Sequence, residues 1–290
     1  MLEIKNYNFV YDEKTIYKNA NLVLKNKHIY GLIGPNGSGK TTLLQSLVAA
    51  NFPNSGEIIY DNISIYENLY YQRHSSYLSD EFVITNKSAR KLVNYYSKVL
   101  SKSINWNIFD SLMEKLQIDP DDLIANQSKG KRKSAMLIVS LALEPRFIYL
   151  DEYLDGLDVV RRSKIKEFLI NYVFEYEAII IISSHTLDDI KDICDNLIFI
   201  NDNIINAPED IDTVRNKYAT YQIVSDQPLD RDFFIKKGIF VKQFKKLDNI
   251  VWIAVKNDDN VLEKLQDITF KDIRRINSTF EEVVYYELIS

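Results

Sequence analysis

Hydrophobic and polar positions set the first picture of this chain. Apolar side chains recur at strand spacing over residues 4–10, 20–24 and 29–33, which predicts three short strands. The spacing turns helical over 41–50, a Pro-Asn-Ser-Gly turn stands at 53–56, and a further strand is predicted at 57–60. From 87 to about 117 the pattern is helical and rich in Tyr, Leu and Lys. Beyond it, helices are predicted at 132–143, 160–174 and 187–194, alternating with strands at 147–150, 178–182 and 197–200. Such alternation predicts an α/β core, a sheet flanked by helices, so the helical middle, about 82–135, reads as an insertion into it.

The texture changes after Asn206-Ala207-Pro208. Strand-like 221–224, helix-like 231–237, strands 240–244 and 250–255, helix 261–266 and strand 270–276 follow in βαββαβ order. That is the order of a ferredoxin-like split βαβ unit. A last helix is predicted at 279–288. The expected division is a first domain at 1–208 and a small α+β domain at 209–290.

Composition sharpens this outline. The chain holds only 8 glycines, and Gly34, Gly37 and Gly39 fall within one hexapeptide. So sparing a use puts glycine where backbone must approach something closely or take a positive φ. The net charge of −5 lacks the basic excess of a nucleic-acid binder, so no nucleic-acid partner is expected. Cys194 is the single cysteine, which excludes an internal disulfide and reads as a small buried residue. Residues 1–10 lack the layout of a signal peptide, and apolar runs such as 178–182 are too short to cross a bilayer. The chain is expected in the cytoplasm, with any membrane role supplied through a partner.

The glycine cluster carries the first chemistry. Gly34-Pro35-Asn36-Gly37-Ser38-Gly39-Lys40-Thr41 fits G-x-x-x-x-G-K-[ST] in full, after a predicted strand and at the start of a predicted helix. Unpaired N–H groups at a helix start attract phosphate, and glycines let the backbone wrap it. Lys40 is placed to reach the β- and γ-phosphates and Thr41 to hold Mg²⁺, with Thr42 completing the loop, so ATP and Mg²⁺ are the expected cofactors. A second element is the apolar strand that ends in Asp151-Glu152. An aspartate there suits Mg²⁺ opposite the phosphate loop, and Glu152 suits a general base on the attacking water.

Taken with Ser128-Lys129-Gly130 ahead of a basic helix, Gly156-Leu157-Asp158 and Ser183-Ser184-His185, these motifs stand in the order found in ABC ATPases, and residues 1–205 resemble that family. The resemblance implies a P-loop ABC ATPase core: a mixed sheet with flanking helices, an antiparallel β subdomain and a helical insertion. It implies that Tyr11 stacks on adenine, and that Ser128, Lys129 and Gly130 contact the γ-phosphate bound to the opposite subunit of a dimer. It implies that Asp158 communicates between the two sites, and that His185 reaches the γ-phosphate and helps hold Glu152. Three positions depart from the common pattern. Lys129 and Lys131 add charge to the signature, Tyr153 stands where proline is usual, and Asp80 falls where a glutamine usually meets the metal.

Residues 278–283 are similar to the ends of ATPase subunits from drug, antibiotic and peptide exporters, and the chain resembles ATPase subunits of Gram-positive exporters of amphipathic peptides such as phenol-soluble modulins. The implied partners are a second ATPase subunit, identical or a paralogue, and an integral membrane subunit that holds this chain at the inner face of the cell membrane. The loop at 77–85 and the aromatics Tyr95, Tyr96, Trp106 and Phe109, with Leu100, are the expected docking surface. The alternative is an ABC-type ATPase without a transport role, in translation or DNA repair. One cassette, one cysteine and no heptads weigh against it.

Overall fold

The computed structural model describes residues 1–81 and 85–289, apart from the side chain of Asp259. The expected start of the helical insertion, and part of the expected docking loop, therefore lie outside the described residues. Clustering of contacts divides the chain into two compact units, Met1–Pro208 and Glu209–Ser290.

The first unit opens with an antiparallel hairpin, β1 (Leu2–Tyr11) and β2 (Lys14–Leu24), followed by β3 (His28–Ile33) and α1 (Lys40–Leu47). Next come β4 (Ser55–Tyr60), β5 (Ile63–Ser64), α2 (Leu69–Arg73) and β6 (Ser75–Ser79). The helical layer holds α3 (Ala89–Leu100), α4 (Trp106–Lys115) and α5 (Lys129–Leu141). The unit continues through β7 (Phe147–Asp151), α6 (Val159–Glu175), β8 (Ile179–Ser183), α7 (Leu187–Ile193), β9 (Asn196–Asn201) and β10 (Ile204–Ile205).

Two sheets result. One is antiparallel, in the order β2-β1-β4-β5, and the other runs β10-β9-β3-β8-β7-β6. From β9 to β6 the pairs of this second sheet are all parallel. Its middle strand β8 reads Ile-Ile-Ile-Ile-Ser and is buried at every position, as a parallel strand covered on both faces must be. Register aligns the strand ends, so that Leu32, Ser183, Asp151 and Ser79 form one row across the sheet. The carboxyl edge of a parallel sheet is where such folds present their ligand sites.

The core between the sheets gathers Tyr7, Leu22, Leu43, Leu47, Tyr71, Tyr149 and Ile181 around α1. Tyr71 donates from its hydroxyl to the Leu47 carbonyl at 2.7 Å, and the Tyr149 hydroxyl lies 2.6 Å from it. Every phenol there has a partner, which is the condition for burying it.

The helical stretch predicted at 87–117 holds two helices. Ser101 takes a left-handed φ of 53° that ends α3, and Asn105 accepts the Ile108 N–H at 3.1 Å to start α4. The expected aromatic surface is also divided: Tyr95 and Trp106 are exposed, but Phe109 is completely buried and belongs to the core.

In the second unit, α8 (Ile211–Arg215) precedes β11 (Tyr218–Val224), α9 (Arg231–Lys236), β12 (Val241–Leu247), β13 (Ile250–Lys256), α10 (Asp259–Gln266), β14 (Asp272–Ile276) and α11 (Phe280–Leu288). The strands lie antiparallel in the order β12-β13-β11-β14, the arrangement of a split βαβ unit. Tyr221, Ile223, Phe234, Ile253 and Leu265 fill the core. Trp252 on β13 is half-buried, with the Lys245 ammonium 5.9 Å from its ring. Thr279 and Glu282 form a capping box that starts α11.

Candidate active site

The loop of residues 34–39 joins the carboxyl end of β3 to α1. Gly39 has φ 106°, and a Cβ there would stand 2.6 Å from the Tyr17 hydroxyl oxygen, so both conformation and space demand glycine. The Tyr17 phenol donates to the Gly39 carbonyl at 2.6 Å and fixes the turn. No side chain caps α1, which leaves N–H groups of its first turn available to an anion. Lys40 folds back over the loop, donating to the carbonyls of Gly34 at 2.8 Å and Pro35 at 3.1 Å. Burial pulls its ammonium below the ordinary 10.5, while Glu152 and Asp151 pull the other way.

Facing this loop, Asp151 ends β7 almost fully buried. Ser183 donates to its Oδ1 at 2.6 Å, and Tyr77 donates to its Oδ2 at 3.0 Å. Burial, and next the Asp151 charge, push the Tyr77 phenol up to about 12. The following residue, Glu152, has a left-handed φ of 51°. A non-glycine held there stores about 1–3 kcal/mol of strain, which the surroundings must overcome. Its N–H is gripped by the Ser183 carbonyl and hydroxyl, both at 3.0 Å. Its carboxylate Oε1 lies 2.7 Å from His185 Nε2. Asp155 fixes the histidine's segment, accepting from the Ser184 hydroxyl at 2.7 Å and the His185 N–H at 3.3 Å.

The loop, Lys40, Glu152 and His185 share a cleft of about 310 Å³, lined by Ile16, Asn36, Gly37, Gly39, Lys40, Thr41, Thr42, Glu152 and His185, with Asp151 behind Glu152 and outside the lining. Ser38 Oγ, also in the loop, is buried with no hydrogen-bond partner among the described residues. An orphaned hydroxyl beside an uncapped helix start and a lysine fits a phosphate group. The Thr41 hydroxyl and the Asp151 carboxylate are hard oxygen donors that fit Mg²⁺, which takes one or two protein ligands and completes its shell with phosphate and water.

Tyr11 lies near the tip of the β1–β2 hairpin, 65% exposed and outside the lining of the cleft. Ser128, Lys129 and Gly130 do not line the cleft either. Ser128 caps α5 by accepting the Lys131 N–H at 3.4 Å, and Lys129 occupies the first turn. Asp158 caps α6, accepting from the Arg161 N–H and from its guanidinium, both at 2.9 Å.

Asp80 sits against two lysines of α5. Its carboxylate is 2.9 Å from the Lys129 ammonium and 2.6 Å from that of Lys133, and it does not line the cleft. The Lys133 hydrogen bond, with help from Lys129, holds this carboxyl below its ordinary 3.8 against the upward pull of burial. Sequence reasoning did not single out Tyr77, Lys133, Asp155 or the buried Ser183 hydroxyl. Ser183 and Asp155 lie inside or beside quoted motifs, whereas nothing local marks Lys133 as inward-facing.

The chain is similar in sequence and in fold to known proteins. A family model described as ABC transporter matches residues 17–155, from β2 through the glycine loop to Asp155. The ABC transporter ATP-binding protein YtrB of Bacillus subtilis is 29% identical over 227 residues, 78% of this chain and 77% of that protein. The bacitracin transport ATP-binding protein BcrA of Enterococcus faecalis is 28% identical, over 67% of this chain and 64% of that protein. The lantibiotic transport ATP-binding protein SrtF of Streptococcus pyogenes is 27% identical, over 74% of this chain and 93% of that one. In fold, the chain is similar to an ATP-binding subunit of an ABC transporter (TM-score 0.67, 20% identity, covering 74% of this chain and 92% of the other). It is similar also to cbiO1 of Clostridium perfringens, part of the ABC transporter complex cbiONQ (TM-score 0.62, 24% identity, covering 72% and 88%). The chain therefore has the ABC ATPase fold and an ATP-binding, ATP-hydrolysing domain, and it is similar to the ATP-binding subunits of ABC transporters.

Proposed function

We propose that this chain works as half of an ATPase dimer, with a second copy or a paralogue, and powers export of a peptide, toxin or drug through a separate membrane subunit. The observation that carries the reading is the Glu152–His185 pair, 2.7 Å apart, in one cleft with Lys40 and the glycine loop. The loop N–H groups and Lys40 bind the phosphates, Thr41 and Asp151 hold Mg²⁺, and Tyr11 stacks on adenine. Bound Mg²⁺ neutralises charge on the phosphates. Glu152 takes the proton of the attacking water, and His185 keeps that carboxylate aimed at it. Ser128 and Gly130, outside their own chain's cleft, serve the site of the opposite subunit, and Asp158 links the two.

Export rests on the likeness to BcrA and SrtF, whose names state bacitracin and lantibiotic transport, and an amphipathic peptide is the cargo that fits that likeness. No helix among the described residues is long and apolar enough to cross a membrane, so the force must pass to a partner that spans it. A groove of about 500 Å³ between β6, α3 and α5, lined in part by Tyr77, Tyr96, Leu100, Met136 and Val139, suits a helix of that partner. The chain then sits peripherally at the inner face of the cell membrane, with residues 209–290 as an accessory domain.

Two measurements test this. Glu152→Gln should bind Mg-ATP and persist as a dimer in light scattering. A monomer at saturating Mg-ATP, with and without the membrane subunit, would sink the dimer reading. Cysteines at Tyr96 and Leu100 should cross-link to cytoplasmic loops of the co-expressed membrane subunit. Cross-links confined to residues 210–290 would move the docking site there.

A further inference from the structure

Lys133 is completely buried, although it belongs to the polar first half of α5. A buried ammonium is tolerated only when its charge is paired and its three N–H groups are used. Here the charge is paired and three oxygens surround the ammonium. The Lys133 ammonium donates to the Asp155 carbonyl at 2.7 Å and to the Glu152 carbonyl at 3.4 Å, and meets Asp80 Oδ1 at 2.6 Å. The Tyr153 ring lies 5.3 Å away, and the Tyr153 phenol donates to the Lys133 carbonyl at 2.6 Å.

The two carbonyls belong to the segments that aim the hydrolytic pair. Glu152 is held at a left-handed φ, a conformation that needs external restraint. Asp155 carries on its carboxylate the Ser184 hydroxyl and the His185 N–H. One ammonium therefore ties the backbone of the general base to the residue that anchors its histidine. We propose that Lys133 is a positioning residue for the Glu152–His185 pair, with Asp80 as its counter-ion, so that the signature helix α5 sets the geometry of the general base in its own chain. This rests on the reading of Glu152 and His185 as the hydrolytic pair.

The test uses the full chain, with Lys133→Met and the double variant Asp80→Asn/Lys133→Met. Hydrolysis by the wild-type chain is the first measurement, and its absence would sink the ATPase reading itself. Given that activity, Lys133→Met should lower kcat about tenfold or more with KM for ATP within about threefold, the split left when transition-state geometry alone is lost. Removing both charges together leaves no ion unpaired in the interior. The double variant should thus regain most of the lost melting temperature while kcat stays as low as in Lys133→Met. Recovery of kcat along with stability in the double variant would overturn the proposal, because it marks a purely structural lysine. Wild-type kcat in Lys133→Met, or failure of both variants to fold, would overturn it too.

Discussion

Replacing Ser183 by alanine removes one oxygen and two links at the heart of the site. The hydroxyl is fully buried, donates to Asp151 Oδ1 at 2.6 Å, and accepts the Glu152 N–H at 3.0 Å. The Glu152 N–H keeps the Ser183 carbonyl, also at 3.0 Å, and Asp151 keeps Tyr77 on its other oxygen. What disappears is chiefly one hydrogen bond to a carboxylate, worth about 1.5–3 kcal/mol. For a folding unit of this size each kcal/mol moves the midpoint by about 2–4 °C, so a drop of roughly 3–12 °C is expected. Calorimetry of the full chain, following the transition that Mg-ATP raises, assigns the change to the nucleotide-binding unit. If about 1.4 kcal/mol of the loss is also felt in the transition state, kcat falls about tenfold. A double-mutant cycle with Asp151→Asn should return a coupling of about 1.5 kcal/mol or more. A Ser183→Ala chain that melts within about 1 °C of wild type, with unchanged kcat, would refute the reasoning, given the principle that a short bond to a buried carboxylate carries energy.

Two further outcomes are expected. Lys40→Ala should abolish nucleotide binding or hydrolysis, whereas Lys131→Ala should leave binding by the isolated chain largely intact; equal losses in a fluorescent-nucleotide titration would remove the division between the two lysines. Asp80 gives a pH test whose sign follows from its depressed carboxyl. Its stabilising effect is complete above 3.8 and is lost as pH falls through the lower folded value. The gap in melting temperature between wild type and Asp80→Asn should therefore hold steady from neutral pH to about pH 5 and narrow below it. A gap that stays constant down to about pH 3 would mean that the ion pair carries no weight.

Local chemistry was legible and long-range pairing was not. The glycine loop could be read because all its parts are contiguous, from the strand before it to Lys40 and Thr41 after it. Asp151 and Glu152 could be read because a short apolar strand ends on them. The strand β6 was missed. Its sequence, Ser-Ser-Tyr-Leu-Ser, is partly buried at every position and has no apolar–polar alternation to betray an edge strand. The break between α3 and α4 depends on Ser101 adopting a left-handed turn, which no periodicity reports. Asp80 was expected to face the metal because its place along the chain suggested it. Its pairing with Lys129 and Lys133, far off in sequence, could not be read locally. Lys133 itself reads as one more charge in a basic run, and its burial becomes visible only when its three acceptors are assembled in space.

The division into two compact units has an optical consequence. The chain has two tryptophans, and each unit holds one: Trp106 on α4 in the first, Trp252 on β13 in the second. Trp106 is 39% exposed and packs edge-on to Phe109, whereas Trp252 is half-buried with a lysine over its ring. Their emission should therefore differ in colour and in how readily iodide quenches it. Trp106→Phe and Trp252→Phe chains each report on one unit alone, so unfolding of the nucleotide-binding part and of the accessory part can be followed separately in an unlabelled protein.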